Sequence, residues 1–252
     1  MKKLIPAILI IAMLGSLKAN AQSNYDSLRM DGFMKKQFAG TAQIQLTYRK
    51  ADIGSLNNAL NADGLHSLGT NAIWLNASMN HMWGKWITED GIGFTPTTTS
   101  NTNDFKAEYN QYQVYGRLGY NVLSEKTMRL FPFVGVNFSA AVLDIQDNPN
   151  IEKTSDFGTE ILNQSASKTL YQPNFGIELG VGYDYLIQAK PKNMGCFVVQ
   201  RTIPVGVRAG YYVNAYQGDW KVDSQSLTGG GDKKGAAFFS VNIGLGYEVV
   251  KQ

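Results

Sequence analysis

Few side chains in this sequence carry the chemistry of catalysis or metal binding. It has two histidines, His66 and His81, and one cysteine, Cys196. No His/Cys group has metal-ligand spacing, so neither a metal nor another cofactor is expected. The single cysteine excludes an intramolecular disulfide. His66 stands beside Ser67, and an acid from another segment would complete an imitation of a His/Ser/acid site for acyl chemistry. The run Gly229-Gly230-Gly231-Asp232-Lys233-Lys234-Gly235 lacks the Gly-Lys-Ser/Thr ending of a phosphate loop and opens no helix. What remains is five charges set in strongly alternating apolar segments: Arg117, Glu178, Asp184, Arg208 and Glu248. Charges held inside a fold must pair, so these read as a structural polar network, with Glu178 expected to pair with Arg208. No catalytic residue is assigned.

The segments that position these charges share one pattern. Over 171–187, Phe175, Ile177, Leu179, Val181, Tyr183 and Tyr185 alternate with Gly176, Glu178, Gly180, Gly182 and Asp184. Side chains alternate across a strand, so one face is large and apolar and the other small or charged. Three glycines and two carboxylates have too little bulk to fill a water-soluble core. The inverse assignment fits, with the large face against lipid and the small face inside a narrow barrel. Seven further segments follow the same rule: 41–50, 71–82, 87–95, 109–122, 130–143, 196–214 and 235–250. In 87–95 the adjacent Glu89 and Asp90 break the alternation, so one points the wrong way or marks a bulge. Pro204 cannot donate to a ladder and predicts a bulge or kink in its strand.

The whole reads as all-β: an eight-stranded antiparallel up-and-down transmembrane β-barrel with a short helix in the first long loop. That helix falls within 51–70, where Asp52 or Ser55 can cap it, Ile53, Leu56 and Leu60 share a face, and Gly64 can end it. The connections alternate long and short, which places both termini on the periplasmic side of an outer membrane. Trp83-Gly84-Lys85-Trp86 forms a tight turn flanked by tryptophans. Gly119-Tyr120-Asn121, Gly182-Tyr183-Asp184 and Gly246-Tyr247-Glu248 recur near the ends of alternate strands. Each puts a tyrosine on the lipid face, so Trp83, Trp86, Tyr120, Tyr183 and Tyr247 are expected to form an interfacial aromatic girdle.

Residues 1–21 have the three parts of a secretory signal peptide: Lys2 and Lys3, the apolar run 4–14, and the small-x-small site Ala19-Asn20-Ala21. Residues 22–40 read as an N-terminal periplasmic segment and 41–252 as the barrel. The 23 basic residues exceed the 20 acidic ones by the three lysines of that leader, so the rest of the chain is formally neutral. Nothing in this balance favours nucleic acid as a partner.

The leader, the eight alternating segments and the Gly-Tyr-polar strand ends resemble the outer-membrane β-barrel domain family, the small OmpA/OmpX-type barrels. The resemblance covers roughly 41–252. It implies a lone membrane barrel with outer-membrane lipid and the barrel-assembly machinery as partners, and loops that meet an extracellular ligand of unknown identity. It departs from the family at its end, since Tyr247-Glu248-Val249-Val250-Lys251-Gln252 lacks a terminal aromatic residue. The function implied is structural or surface-binding, without catalysis. The alternatives are a lipid-modifying enzyme of the same architecture and a soluble exported barrel of the lipocalin type.

Overall fold

The computed structural model describes residues 38–51, 53–62, 64–102, 105–123, 125–147, 167–193, 197–222, 225–227 and 235–251. The expected leader, residues 22–37 of the expected N-terminal segment, Cys196 and most of the 229–235 glycine run lie outside the described residues. In chain order the elements are β1 (Phe38–Lys50), α1 (Gly54–Ala62), β2 (Asn71–Trp83), β3 (Trp86–Phe94), β4 (Thr98–Asn101), β5 (Phe105–Tyr120), β6 (Met128–Asp147), β7 (Lys168–Gln188), β8 (Lys192–Asn193), β9 (Phe197–Gln217), β10 (Trp220–Val222), β11 (Gln225–Leu227) and β12 (Gly235–Lys251).

Eight of the strands form an antiparallel closed barrel. Hydrogen-bonded order runs β1, β2, β3, β5, β6, β7, β9, β12, and β12 returns to β1 with Ile44 opposite Ile243 and Tyr48 opposite Phe239. Closure pairs each of these strands on both sides, β2 lacking its second partner only over 71–74, which meets the condition for a sheet to sit in hydrocarbon. The two faces divide as the alternation demands. Leu245 is 71% exposed and Ser240, on the same strand, is 0% exposed. Ile44, Leu46, Leu179, Val181, Val241 and Ile243 point out, and Gln43, Gln45, Asn76, Glu178, Arg208 and Asn242 are buried in the lumen. A lipocalin-type soluble barrel would need the opposite division.

Three irregularities are informative. The β2–β3 ladder runs unbroken from Leu75–Phe94 to Trp83–Trp86, so there is no bulge at Glu89-Asp90. Glu89 is buried in the lumen and Asp90 is exposed on the outer face. The bulge expected at Pro204 is also absent. Pairing with β12 lapses opposite it and resumes in the same register, with Ile243 opposite Val205 and Gly246 opposite Thr202. A missing N–H removes one ladder bond without requiring an extra residue. The register shift lies instead between Phe175 and Gly176, where β7 meets β9.

Helix α1 stops at a Schellman motif. Gly64 sits at φ 80°, Leu65 N–H donates to the Leu60 carbonyl (2.8 Å), and Gly64 N–H donates to that of Asn61 (3.1 Å). Ser55 falls inside the helix rather than at its cap, and Asp52 lies outside the described residues. Leu56, Leu60, Ile53, Leu65 and Leu68 pack with Ala107, Tyr109, Ala141, Leu143 and Trp220 into one apolar cluster. This cluster lies at the end of the barrel that carries the long connections. The connection between β9 and β12 contains the β10–β11 hairpin, which pairs onto the end of β7.

Candidate functional site in the lumen and its mouth

In the lumen Arg49, Arg117 and Arg208 alternate with Glu178, Glu89 and Asp184 in one connected chain of charges, while Arg129 is buried apart from it. Arg49 Nη1 lies 3.9 Å from Glu178 Oε1, and Arg117 Nε donates to Glu178 Oε2 at 2.8 Å. Arg117 Nη1 reaches Glu89 Oε1 at 2.6 Å, and Arg208 Nη2 stands 3.5 Å from Glu89 Oε2. Arg208 then holds Asp184 with both nitrogens, at 2.7 and 3.2 Å. Amides fill the remaining capacity: Gln45 donates to Glu89 (2.8 Å), and Asn242 donates to Asp184 (3.2 Å) and to Gln43 (3.1 Å). Each cation of that network therefore meets an anion on at least one side, which offsets the cost of removing it from water.

Aromatic rings complete the packing. Arg49 lies over Trp74 and Tyr212, at 4.6 and 4.2 Å to the ring centroids; Arg117 lies over Tyr115 at 4.3 Å; Arg208 lies over Phe131 at 4.7 Å. A planar guanidinium can pair edge-on with a carboxylate and stack face-on with a ring at once. The small residues opposite these rings are small for that reason. A Cβ at Gly182 would lie 2.5 Å from the Phe131 ring, and one at Gly180 would lie 2.7 Å from that of Phe133. The lumen is thus occupied by side chains along the length of the network.

Of the residues singled out in the sequence, Arg117, Glu178, Asp184 and Arg208 are buried in this chain of charges. Glu248 is half-buried on β12 and stands apart from it, with Arg129 as an electrostatic neighbour. The expected Glu178–Arg208 pair is not formed. Glu178 stands opposite Tyr212 and Arg208 opposite Gly182, four residues apart in register. That is about 13 Å along a strand, and the stagger of a closed barrel hands each charge a different partner. Trp83, Trp86, Tyr120 and Tyr247 are exposed on the outer face and Tyr183 is half-buried there. Trp83 pairs with Trp86 across the Gly84 turn, and Trp86 meets Tyr120 edge-on at 5.2 Å.

Sequence reasoning missed Glu89, Arg49 and the luminal rings. Their signal is phase. Arg49 continues the inward set Gln43, Gln45, Thr47, and Phe131 and Phe133 continue the inward set Gly135, Asn137. The His/Ser/acid imitation is not assembled. Ser67 Oγ exchanges hydrogen bonds with the Asn61 side chain (3.0 and 3.2 Å), and the His66 carbonyl accepts from Ser100 (2.7 Å). Among the described residues no cluster of His, Cys, Asp and Glu could hold a metal ion.

Above the network the barrel wall parts. The β2–β3 ladder ends at Leu75–Phe94. Beyond it, Asn71 and Ala72 continue to pair with β1, opposite Lys50 and Arg49, while the chain after Phe94 follows β5. A cleft of about 150 Å³ lies in this parting, lined by Ala72, Ile73, Thr95, Pro96, Tyr109 and Gln111 among others. A polar recess of about 50 Å³, bordered by Arg49, Gln172, Asn174, Asn214 and Gln217, adjoins it and shares Ala51, Tyr109 and Gln111.

No family model and no curated protein matches the sequence. Among solved structures, Ail of Yersinia pestis, solved in complex with the heparin analogue sucrose octasulfate, aligns at 14% identity and TM-score 0.36, over 84% of this chain and 98% of its own. Neisserial surface protein A aligns at 13% and 0.37, over 84% and 96%. A major outer membrane protein of Thermus thermophilus aligns at 12% and 0.38, over 82% and 99%. The fold itself rests on the closed ladder and the polarity of its faces. In architecture the chain is an eight-stranded antiparallel closed barrel, apolar without and ionic within.

Proposed function

We propose that this protein is an outer-membrane β-barrel, structural or surface-binding, that acts through its extracellular end and performs no catalysis. One observation carries the reading: an apolar belt, interrupted at Asp90, on the outside of a closed barrel whose interior is ion-paired. Lipid is the solvent that suits the outer face, while the inner face is satisfied by its own ion pairs and amides. The long connections, α1 and the β10–β11 hairpin lie at one end, and both ends of the barrel chain lie at the other. On this reading the termini are periplasmic, and Trp83, Trp86, Tyr120, Tyr183 and Tyr247 sit at the periplasmic interface. Outer-membrane lipid and the barrel-assembly machinery are its partners.

The test is fractionation. The protein is expected in the outer-membrane fraction, resistant to alkaline carbonate, with gel mobility that changes on boiling. A tag placed in the 148–166 connection should be labelled on intact cells, and a carboxy-terminal tag should not. Release of the leaderless chain into detergent-free buffer as a folded monomer would overturn the reading.

A further inference from the structure

The parting of β2 from β3 joins two environments of opposite character. The cleft takes lining from both sides of the wall: Ile73 belongs to the outer face, while Ala72, Thr95 and Tyr109 are buried. It therefore passes through the barrel wall at the height where the outer-face apolar residues of β2 end. The upward route is covered, because α1 and Leu65–Leu68 pack over the mouth and Ser100 holds the loop down through the His66 carbonyl. Pro96 at the cleft has no N–H to offer a neighbouring strand.

The recess on the inner side has polar capacity left over. Gln172 is 3% exposed, and its Nε2 has no partner, although its Oε1 accepts from Gln217 (3.0 Å). Gln217 Oε1 and Asn174 Oδ1, also at the recess, are buried and unpartnered. One orphan donor beside two orphan acceptors suits a group that both donates and accepts, which is a hydroxyl. Of the charged residues bordering the recess, Arg49 is held by Glu178 at 3.9 Å and by the Trp74 and Tyr212 rings, and Lys50 is exposed.

We infer that the parting between β2 and β3 is a lateral binding site for a hydroxyl-headed amphiphile from the surrounding lipid, its alkyl chain in the Ala72–Ile73–Pro96 cleft and the edge of its head against Gln172, Asn174 and Gln217. A recess of about 50 Å³ takes one edge of a sugar, with the rest of the head directed toward the mouth. Binding supplies the missing partners of buried amides and removes apolar cleft surface from water. The inference rests on the membrane reading, because the ligand arrives from the bilayer.

Native mass spectrometry tests it on the full folded chain released from an alkyl amine-oxide detergent, which carries no hydroxyl, with n-dodecyl maltoside added. One maltoside is expected per barrel, held about tenfold more tightly than n-dodecylphosphocholine, which has the same chain and no hydroxyls. Gln172→Leu removes the orphan donor and should weaken the adduct about tenfold. Ala72→Trp fills the cleft and should abolish it; Thr98→Trp, at the cleft rim, replaces that variant if it fails to fold. Boiling-dependent gel mobility establishes that each variant remains a barrel. Equal retention of the two amphiphiles, or full retention after both the Gln172 and the cleft substitutions, overturns the inference. Failure of the membrane reading would show separately, as a chain that needs no detergent to stay in solution.

Discussion

Arg117 is the hinge of the luminal charges, the cation shared by Glu89 and Glu178. Replacing it with leucine leaves two buried carboxylates short of a partner and takes its guanidinium away from the Tyr115 ring. Breaking such a pair from one side costs about 3–5 kcal/mol. Arg117→Leu should lose roughly that amount in urea unfolding from lipid vesicles, and adding Glu89→Gln and Glu178→Gln should recover most of it, since no uncompensated charge then remains. If the single variant unfolds as the parent does, the network is not holding the barrel. At this scale the sequence reveals facing but not partnership. Alternation alone places Arg117, Glu178, Asp184 and Arg208 inside. Which carboxylate each guanidinium meets depends on the stagger between strands, a property of the closed ring that no single strand records. The wrong pairing of Glu178 with Arg208 comes from treating strands as level.

Elements follow the same division between local and closed-ring information. Strand existence was legible because seven segments alternate strongly and 87–95 does so outside Glu89-Asp90, and their bounds shift by only a few residues at most ends. The stop of α1 was legible because glycine is the residue that takes φ 80° without strain. Gly64→Ala should therefore loosen the first loop by about 1 kcal/mol, read as faster amide exchange at Leu60 and Leu65 with little change in barrel unfolding. Equal exchange in both proteins would mean the helix stop is held by its apolar packing alone. The β2–β3 parting was not legible: residues 71–74 alternate as well as 75–83 do, and only the path of the chain after Phe94 separates them. Asp90 is the other element-scale surprise. It interrupts the outer face of β3 between Thr88 and Ile92, with Gly116 opposite it on β5. A charge on a lipid-facing strand is a cost, smaller for an acid than for Lys or Arg. Asp90→Leu should raise stability in bilayers by about 1 kcal/mol and leave the lumen unchanged. A loss of stability on that substitution would place Asp90 in contact with something other than lipid chains.

The whole molecule turns on what its interior contains. Eight strands enclose a bore just wide enough for side chains, and here that bore is filled by guanidinium groups stacked on rings and bridged by carboxylates and amides. An ion crossing it would have to part Arg117 from Glu89 or Arg208 from Asp184, each joined at under 3 Å in a site that water does not reach. The openings on the outer side do not relieve this, because the polar recess and the lateral cleft both end above Arg49 and its stacking partners. The purified barrel in a planar bilayer should accordingly show no steady unitary current in 1 M salt. Screening at that ionic strength weakens exposed pairs but hardly reaches buried ones, so raising salt should not open it. Steady, salt-scaled currents in the parent protein would mean that the ionic chain is a gate rather than a plug. The same measurement on Arg117→Leu distinguishes the two, for removing a gate raises conductance, whereas removing one piece of a plug destabilises the barrel and leaves the bore closed by Phe131, Phe133 and Phe238.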